Sequence, residues 1–438
     1  MAYEFDEMND RARNRELARQ RRARLQRRQT ILRWTTFSMI LLVCLVMVIA
    51  LTARGCGKQK NADSTTQPPT TMAPTTVPTT LPPTVSTTPT EPETVIRLVF
   101  GGDINVTDKL VAAGGQNGNY DYTQLLMDIL PVLSDADATF LNLEGGFYGP
   151  PYGSATHSAP LELADALAAA GVDMVQLANS RTIVNGLTGL SNTIRVLRSG
   201  GMRPLGVFAS AEERAQSQGF TLVNIGGIRV AIVAFTKGLD GMSLPAGSES
   251  CVNLLYTDYA TTYQNVDTEG ITKVLQAAQA QAPDLTIAMV HWGSEYNDTI
   301  SPTQQQIITL MQGLGVDAIV GTHPHFVQKV DYDPENSTVV AYSLGDLLGD
   351  GEKAGTNYSI LLQLEITRDN YTGETRITGC DYTGIYLLTP EKDGHDLRLM
   401  RILPAMALYE NNHIGKVSDQ AYENMRYAWQ RIQARVTG

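Results

Sequence analysis

The sequence predicts a mixed α/β (α+β) domain from Thr94 onward, preceded by one transmembrane helix and a disordered stalk. Three observations carry this. Short continuous apolar runs alternate with helical segments after residue 94, as in a sheet buried on both faces. Twenty consecutive residues, Trp34 to Ala53, carry no charge. Residues 61–93 hold twelve Thr and eight of the chain's twenty Pro.

Residues 1–33 carry ten Arg and five acidic residues. The uncharged run that follows has MILLVCLVMVIAL at its centre. Twenty helical residues rise about 30 Å, the thickness of a bilayer's hydrocarbon core. A cleaved signal peptide has a shorter apolar region and a small-x-small cleavage site, so residues 34–53 read as a signal anchor. The flanking Arg place residues 1–33 in the cytoplasm and the rest of the chain outside the cell. Basic residues beside a membrane are drawn to anionic lipid heads, the reading preferred here over nucleic-acid binding. Cys56 follows Ala53-Arg54-Gly55, and the Arg sets this apart from a lipoprotein cleavage box. Residues 54–93 form the Thr/Pro-rich extracellular stalk. It has too little apolar surface for a core, and its last 33 residues reach roughly 100 Å at about 3.1 Å per residue.

The chain's net charge is −11, and with the basic N-terminal region set aside residues 61–438 carry −19. That excludes a general nucleic-acid binder, which needs basic stripes against phosphates. Four Cys in 438 residues exclude a disulfide framework, and no CxxC pair suggests structural zinc. Cys251 and Cys380 both fall outside the cell, where a disulfide is permitted; their spacing does not pair them.

The main domain is assigned to residues 94–390, with 391–438 a C-terminal extension. In order, VIRLVF ends at Gly101-Gly102-Asp103 and ATFLNL at Glu144. The helical PLELADALAAAG leads into VDMVQLA, which ends at Asn179, and GLTGLSNTIRVLRSGG is a further helix. GFTLVNI and IRVAIVAF form a hairpin about Gly226-Gly227. A helix around ITKVLQAAQAQ precedes DLTIAMV, which ends at His291. SPTQQQIITLMQGLG is a helix with a Ser cap and Pro at its first position. VDAIVG ends at Thr322-His323-Pro324-His325. VVAYSLGD, YSILLQLEIT and TRITGCDYTGIYLL are separated by turns and read as antiparallel, while a charged helix near Asp419–Arg435 reads as peripheral. No internal repeat is present.

Ligands of open α/β sheets lie beyond the carboxyl ends of the strands. Those ends carry Asp103, Glu144, Asn179, His291 and the pair His323 and His325. A single such residue is ordinarily a turn former or a satisfied polar group; five strand ends in order point to a metal site. Mixed carboxylate and imidazole donors suit a divalent metal, Zn, Mn or Fe, and a carboxylate can bridge two ions. His157 could face the same rim. His395 and His413 read as solvated, and Trp292 as packed.

GGDINV, FLNLEGGF, VHWGSEY, GVDAIVGTHPHFVQ and YSLGD, in that order and spacing, resemble the CapA-type poly-γ-glutamate capsule proteins, a family related to calcineurin-like metallophosphoesterases. The resemblance covers most of residues 95–350. It implies a four-layer α/β/β/α sandwich of metallophosphoesterase type with a dinuclear-capable metal site at one rim. By motif match, Asp103, Glu144, His291, His323 and His325 fall on metal-binding positions. One motif is broken. Where the family usually reads LANNHxxDxG, this chain has Leu177-Ala178-Asn179-Ser180-Arg181, with Val184 in place of the Asp. Ser180 replaces an expected ligand and Arg181 an expected proton donor; a one-residue slip would instead make Asn179 the ligand. YSLGNF has become YSLGD plus Leu347. Arg stays charged and cannot deliver a proton, yet it binds phosphate or carboxylate in a forked geometry. Arg181 and Asn179 are therefore the expected substrate-binding residues.

Two function classes follow. In the first, a single-pass cell-membrane protein with little hydrolase activity serves synthesis, export or retention of an anionic polymer such as poly-γ-glutamate. It would work beside membrane-embedded capsule synthesis proteins, touching anionic lipids through its Arg-rich segment and no nucleic acid. The alternative is an extracellular metal-dependent hydrolase of a phosphoester or of the polymer amide. A wall-associated sensor has only topology behind it.

Overall fold

A computed structural model describes residues 92–116, 118–412 and 417–437. The expected cytoplasmic segment, signal anchor, nearly all of the stalk, and His413 lie outside the described residues. Among the described residues no helix is long and apolar enough to cross a membrane.

Strand 228–236 shows how the sequence builds the layers. Side chains alternate faces along a strand. Val230, Ile232 and Ala234 join a core shared with Leu98, Phe100 and Phe140 of the other sheet. Ala231, Val233 and Phe235 instead meet Ile271, Leu275, Ile307 and Met311, which belong to the helices Thr268–Gln279 and Pro302–Gly313. A strand apolar on both faces thus sits between a sheet and a helical layer. On the far side, Leu141 and Val175 pack with Leu163, Leu167, Leu190 and Ile194 of the helices Leu161–Ala170 and Gly186–Ser199. Two sheets lie face to face, each covered outside by helices.

The larger sheet runs, in order, Arg398–Arg401, Thr375–Leu388, Tyr358–Asp369, Glu93–Asn105, Ala138–Glu144, Met174–Gln176 and Arg203–Leu205. The smaller runs Val330–Asp333, Thr338–Ala341, Ala318–Thr322, Leu285–His291, Ile228–Thr236 and Thr221–Ile225. Their central strands are parallel, so their carboxyl ends collect at one rim. The hairpin about Gly226-Gly227 forms as expected.

Two expectations need correcting. VVAYSLGD is not simply antiparallel. Thr338–Ala341 pairs antiparallel with Val330–Asp333 but parallel with Ala318–Thr322. The chain then passes to the larger sheet, where Asp346–Leu348 lies parallel to the first strand. Nor is the helix Asp419–Val436 peripheral. Ala421, Met425, Ala428, Ile432 and Val436 line one buried face and join the core beneath the long strands Tyr358–Asp369 and Thr375–Leu388. Its charged residues occupy the opposite face, as in any amphipathic helix. Cys251 and Cys380 are free thiols, Trp292 is fully buried, and His395 Nε2 accepts the Ser418 N–H at 3.0 Å rather than facing only solvent.

Candidate metal centre

Asp103 lies near the end of the first strand, where glycine lets two backbones approach. A Cβ on Gly102 would stand 1.8 Å from the Gly345 carbonyl oxygen, and next to it the Asp103 N–H donates to that oxygen at 3.1 Å. The Asp103 carboxylate accepts from Asn142 Nδ2 at 2.5 Å and from the His323 N–H at 3.1 Å. Glu144 ends the neighbouring strand. Its Oε1 is buried and has no hydrogen-bond partner among the described residues.

His291 ends the third strand of this rim. Its Nδ1 is 3.0 Å from Thr322 Oγ1. Its Nε2 faces His323 Nδ1 at 3.0 Å, Ser180 Oγ at 3.2 Å and Glu144 Oε1 at 3.5 Å. The loop after strand 318–322 holds His323 at φ 95° and His325 at φ 61°. That left-handed region is uncommon for non-glycine residues, though His enters it more readily than most. The outcome is that His323 turns toward His291 while His325 turns toward Asp346, its Nδ1 2.7 Å from Asp346 Oδ1.

Two groups of donor atoms result, each drawn together within 4.8 Å: Glu144 with His291 and His323, and Asp103 with Glu144 and His325. Glu144 belongs to both. Five of the six residues at those strand ends therefore converge at one place, and Asn179 does not join them. The donor set fits a divalent cation, and the orphaned Glu144 oxygen is the observation that a cation would satisfy.

Electrostatics agree with that fit. Burial, then His323 and His325, push His291 well below 6.5; burial, then Lys237, does the same to His323. Both are neutral imidazoles, the form that ligates. Burial raises Asp103, and burial reinforced by Asp103 raises Glu144 to about 8. Burial alone would discharge His325, but Asp346, Glu144 and Asp103 hold its proton, to about 10. Three crowded carboxylates thus keep a proton on His325, which a cation would displace on binding there.

The broken motif has a definite geometry. Ser180, and not Asn179, reaches the imidazoles. Asn179 Nδ2 donates to Asn142 Oδ1 at 3.0 Å and the Leu143 carbonyl at 2.7 Å, while its Oδ1 accepts the Arg181 N–H at 2.9 Å. Its amide is thus fully taken up beneath the site, so the one-residue slip is not what the fold adopts, and Asn179 presents no free group to a substrate. Arg181 stands at the rim, about a quarter exposed, its guanidinium paired with Asp240. His157 is half-buried and lies in neither donor group; burial, then Arg181, lowers its pKa.

Sequence reasoning missed Asn142, Thr322, Asp346 and Lys237. A polar Asn inside the apolar run ATFLNLE was the available signal for the first. Lys237 follows the strand 228–236 directly, one more strand end at this rim, and its Nζ donates to the Gly293 carbonyl at 2.6 Å. Asp346 begins a strand of three residues, too short to read by periodicity.

Among curated proteins, the capsule biosynthesis protein CapA of Bacillus anthracis is 28% identical over 215 residues, 49% of each chain. The PGA biosynthesis protein CapA of Bacillus subtilis (strain 168) is 26% identical over 242 residues, 55% of this chain and 58% of that one. The chain thus spans about half the length of these relatives. Similar solved structures include a phosphatase of Mycoplasma pneumoniae (16% identity, TM-score 0.41, 67% of this chain and 94% of that one). Another is the calcineurin-like phosphoesterase YfkN of Bacillus subtilis (13% identity, TM-score 0.44, 78% and 98%). The family described as bacterial capsule synthesis protein PGA_cap matches residues 97–351; with more than half of its length and every residue of the rim inside that match, the chain belongs to this family.

Proposed function

We propose that this chain is a membrane-anchored, extracellular CapA-like protein that serves synthesis, export or retention of an anionic capsule polymer such as poly-γ-glutamate, with little hydrolase activity. The match to the capsule synthesis family over residues 97–351 carries the reading. The charged N-terminal flank, the uncharged run 34–53 and the stalk support the topology, with membrane-embedded synthesis proteins and anionic lipids as partners. The fold assigned is the four-layer sandwich of metallophosphoesterase type.

An acidic body repels a polyanion, so binding needs a local positive site. Asp103, Glu144, His291, His323 and His325 would hold two divalent cations, which supply Lewis acidity toward a carboxylate or phosphate oxygen. Arg181 adds a fixed cation at the rim. Ser180 offers the imidazole half only a neutral hydroxyl, and Arg181 cannot protonate a leaving group. The alternative, a metal-dependent phosphoesterase or polymer hydrolase, is favoured by one observation, the two donor groups that share Glu144.

Purified full-length protein in detergent, metal-loaded, should bind fluorescent poly-γ-glutamate and release it on chelation. Loss of a general acid forfeits roughly 10²–10⁴ in rate. The double change Ser180→Asn with Arg181→His should therefore raise phosphodiester turnover strongly. Brisk turnover by the unaltered protein, slowed by the double change, would make it a hydrolase instead. Protease added to intact cells should remove the domain and leave a protected N-terminal fragment; a fully protected chain would reverse the topology.

A further inference from the structure

The two halves of the centre are not alike, one offering two carboxylates and an imidazole and the other one carboxylate and two imidazoles, and a residue outside both widens the difference. Asp346 pairs in parallel register with Asp103, so the two carboxylates project from the same side of neighbouring strands. Asp346 is 7% exposed. Its Oδ1 accepts from Asn105 Nδ2 at 2.9 Å and lies 2.7 Å from His325 Nδ1. Its Oδ2 has no hydrogen-bond partner among the described residues. No Lys or Arg of the described residues forms a salt bridge with Asp103, Glu144 or Asp346; among the described residues their ion-pair partners are histidines. Around His325, then, stand three buried carboxylates. Around His291 and His323 stand the shared Glu144 and the Ser180 hydroxyl, with Thr322 orienting His291.

We infer that Asp346 deepens this inequality, so that the Asp103–Glu144–His325 half selects a hard, oxygen-seeking cation of the Mn²⁺ type while the His291–His323 half selects Zn²⁺. This rests on the metal-binding reading proposed above. Carboxylate donors suit Mn and Mg, whereas imidazoles suit Zn and its neighbours in the series. Asp346 acts either through its unpartnered Oδ2 or by fixing the His325 ring. In both cases its direct effect falls on one half, since its hydrogen bonds reach only His325 and Asn105; on the shared Glu144 it acts only weakly, through charge.

Full-length protein in detergent is equilibrated with one equivalent of Zn²⁺ per chain and excess Mn²⁺, then dialysed. It is examined by elemental analysis and by the Mn²⁺ electron paramagnetic resonance signal. The unaltered chain should hold one ion of each kind. Asp346→Asn should lower Mn²⁺ affinity by roughly 10–100-fold, the usual cost of losing a supporting carboxylate, with Zn²⁺ retained. His291→Ala should do the reverse. Asp346→Glu, which keeps the charge, should hold Mn²⁺, and Asp346→Ser replaces the Asn variant should that one not fold, as judged by metal-free thermal unfolding. Equal loss of both metals, or no loss of Mn²⁺, in the Asn or Ser variant overturns the inference, as does an unaltered chain that holds Zn²⁺ with no Mn²⁺ beside it. A parent chain that takes up no divalent metal would instead sink the underlying metal reading, and the inference with it.

Discussion

Glu144→Gln should stabilise the metal-free protein at alkaline pH while removing its hold on metal. Glu144 is 3% exposed and its Oε1 is unpartnered. Burial, then Asp103, and more weakly Asp346, move its carboxyl from 4.5 to about 8, against the pull of His325 and Arg181. Between those two values the folded, metal-free chain keeps a proton that the unfolded chain has released. Stability therefore falls as pH rises through that window and is fully lost only above the folded value. The displacement corresponds to at most roughly 5 kcal/mol. Gln has the same shape and cannot ionise, so it erases this loss. It also brings an amide N–H₂ that can go unpaired, at about 1–3 kcal/mol. The net expectation is a variant about 2–4 kcal/mol more stable than its parent at pH 8 in chelator, with the gain gone or reversed at pH 5. With metal the order should invert, because only the parent gains the binding free energy. Urea unfolding of both proteins at the two pH values, with and without metal, gives the four comparisons. A variant destabilised equally at pH 5 and pH 8 would show that Glu144 carries no ionisation penalty.

Gly102→Ala should cost about 1–3 kcal/mol in urea unfolding, as overpacking does, because the obstructing Gly345 oxygen is backbone and cannot swing aside. It should also weaken metal binding in a direct titration by prising Asp103 from Asp346; unchanged stability and affinity would mean the two strands are not locked there. Met425→Ala should cost about 2–5 kcal/mol as a core truncation, given that Met425 is fully buried. A loss below about 0.5 kcal/mol, the surface value, would restore the helix to the periphery.

The central strands were legible because burial on both faces leaves an unbroken apolar run, and a polar residue at its end is conspicuous. Asp103, Glu144, His291 and the His323/His325 pair were found that way. Legibility ended where the signal was pairing instead of periodicity. Asp346 reaches the site through a three-residue strand whose partner lies more than two hundred positions earlier, and no local pattern reports that. The amphipathic helix 419–436 was misplaced for a related reason. Its polar face is rich enough in charge to hide an Ala/Met/Ile stripe, and that stripe packs against the long strands Tyr358–Asp369 and Thr375–Leu388. Asn179 failed differently. Strand-end position put it at the rim, but hydrogen bonding to Asn142, Leu143 and Arg181 took up its amide.

The exchange of a histidine position for Arg181 bears on what the rim can do. A histidine there can lose and regain a proton; a guanidinium cannot. Its charge is also partly answered in place, since Asp240 pairs with it and is itself held at φ 54°, a conformation that requires support from its surroundings. Arg181 still acts electrostatically on the interior, lowering the pKa values of Glu144, His291 and His323. Beneath it Asp103, Glu144, His291, His323 and His325 remain gathered, with the Ser180 hydroxyl beside the two imidazoles. As proposed, the change at Arg181 falls on the proton supply, leaves those five donors in place and puts a permanent cation at the rim. On the proposed reading, that combination suits a site that grips successive carboxylates of a polymer and lets them pass uncleaved.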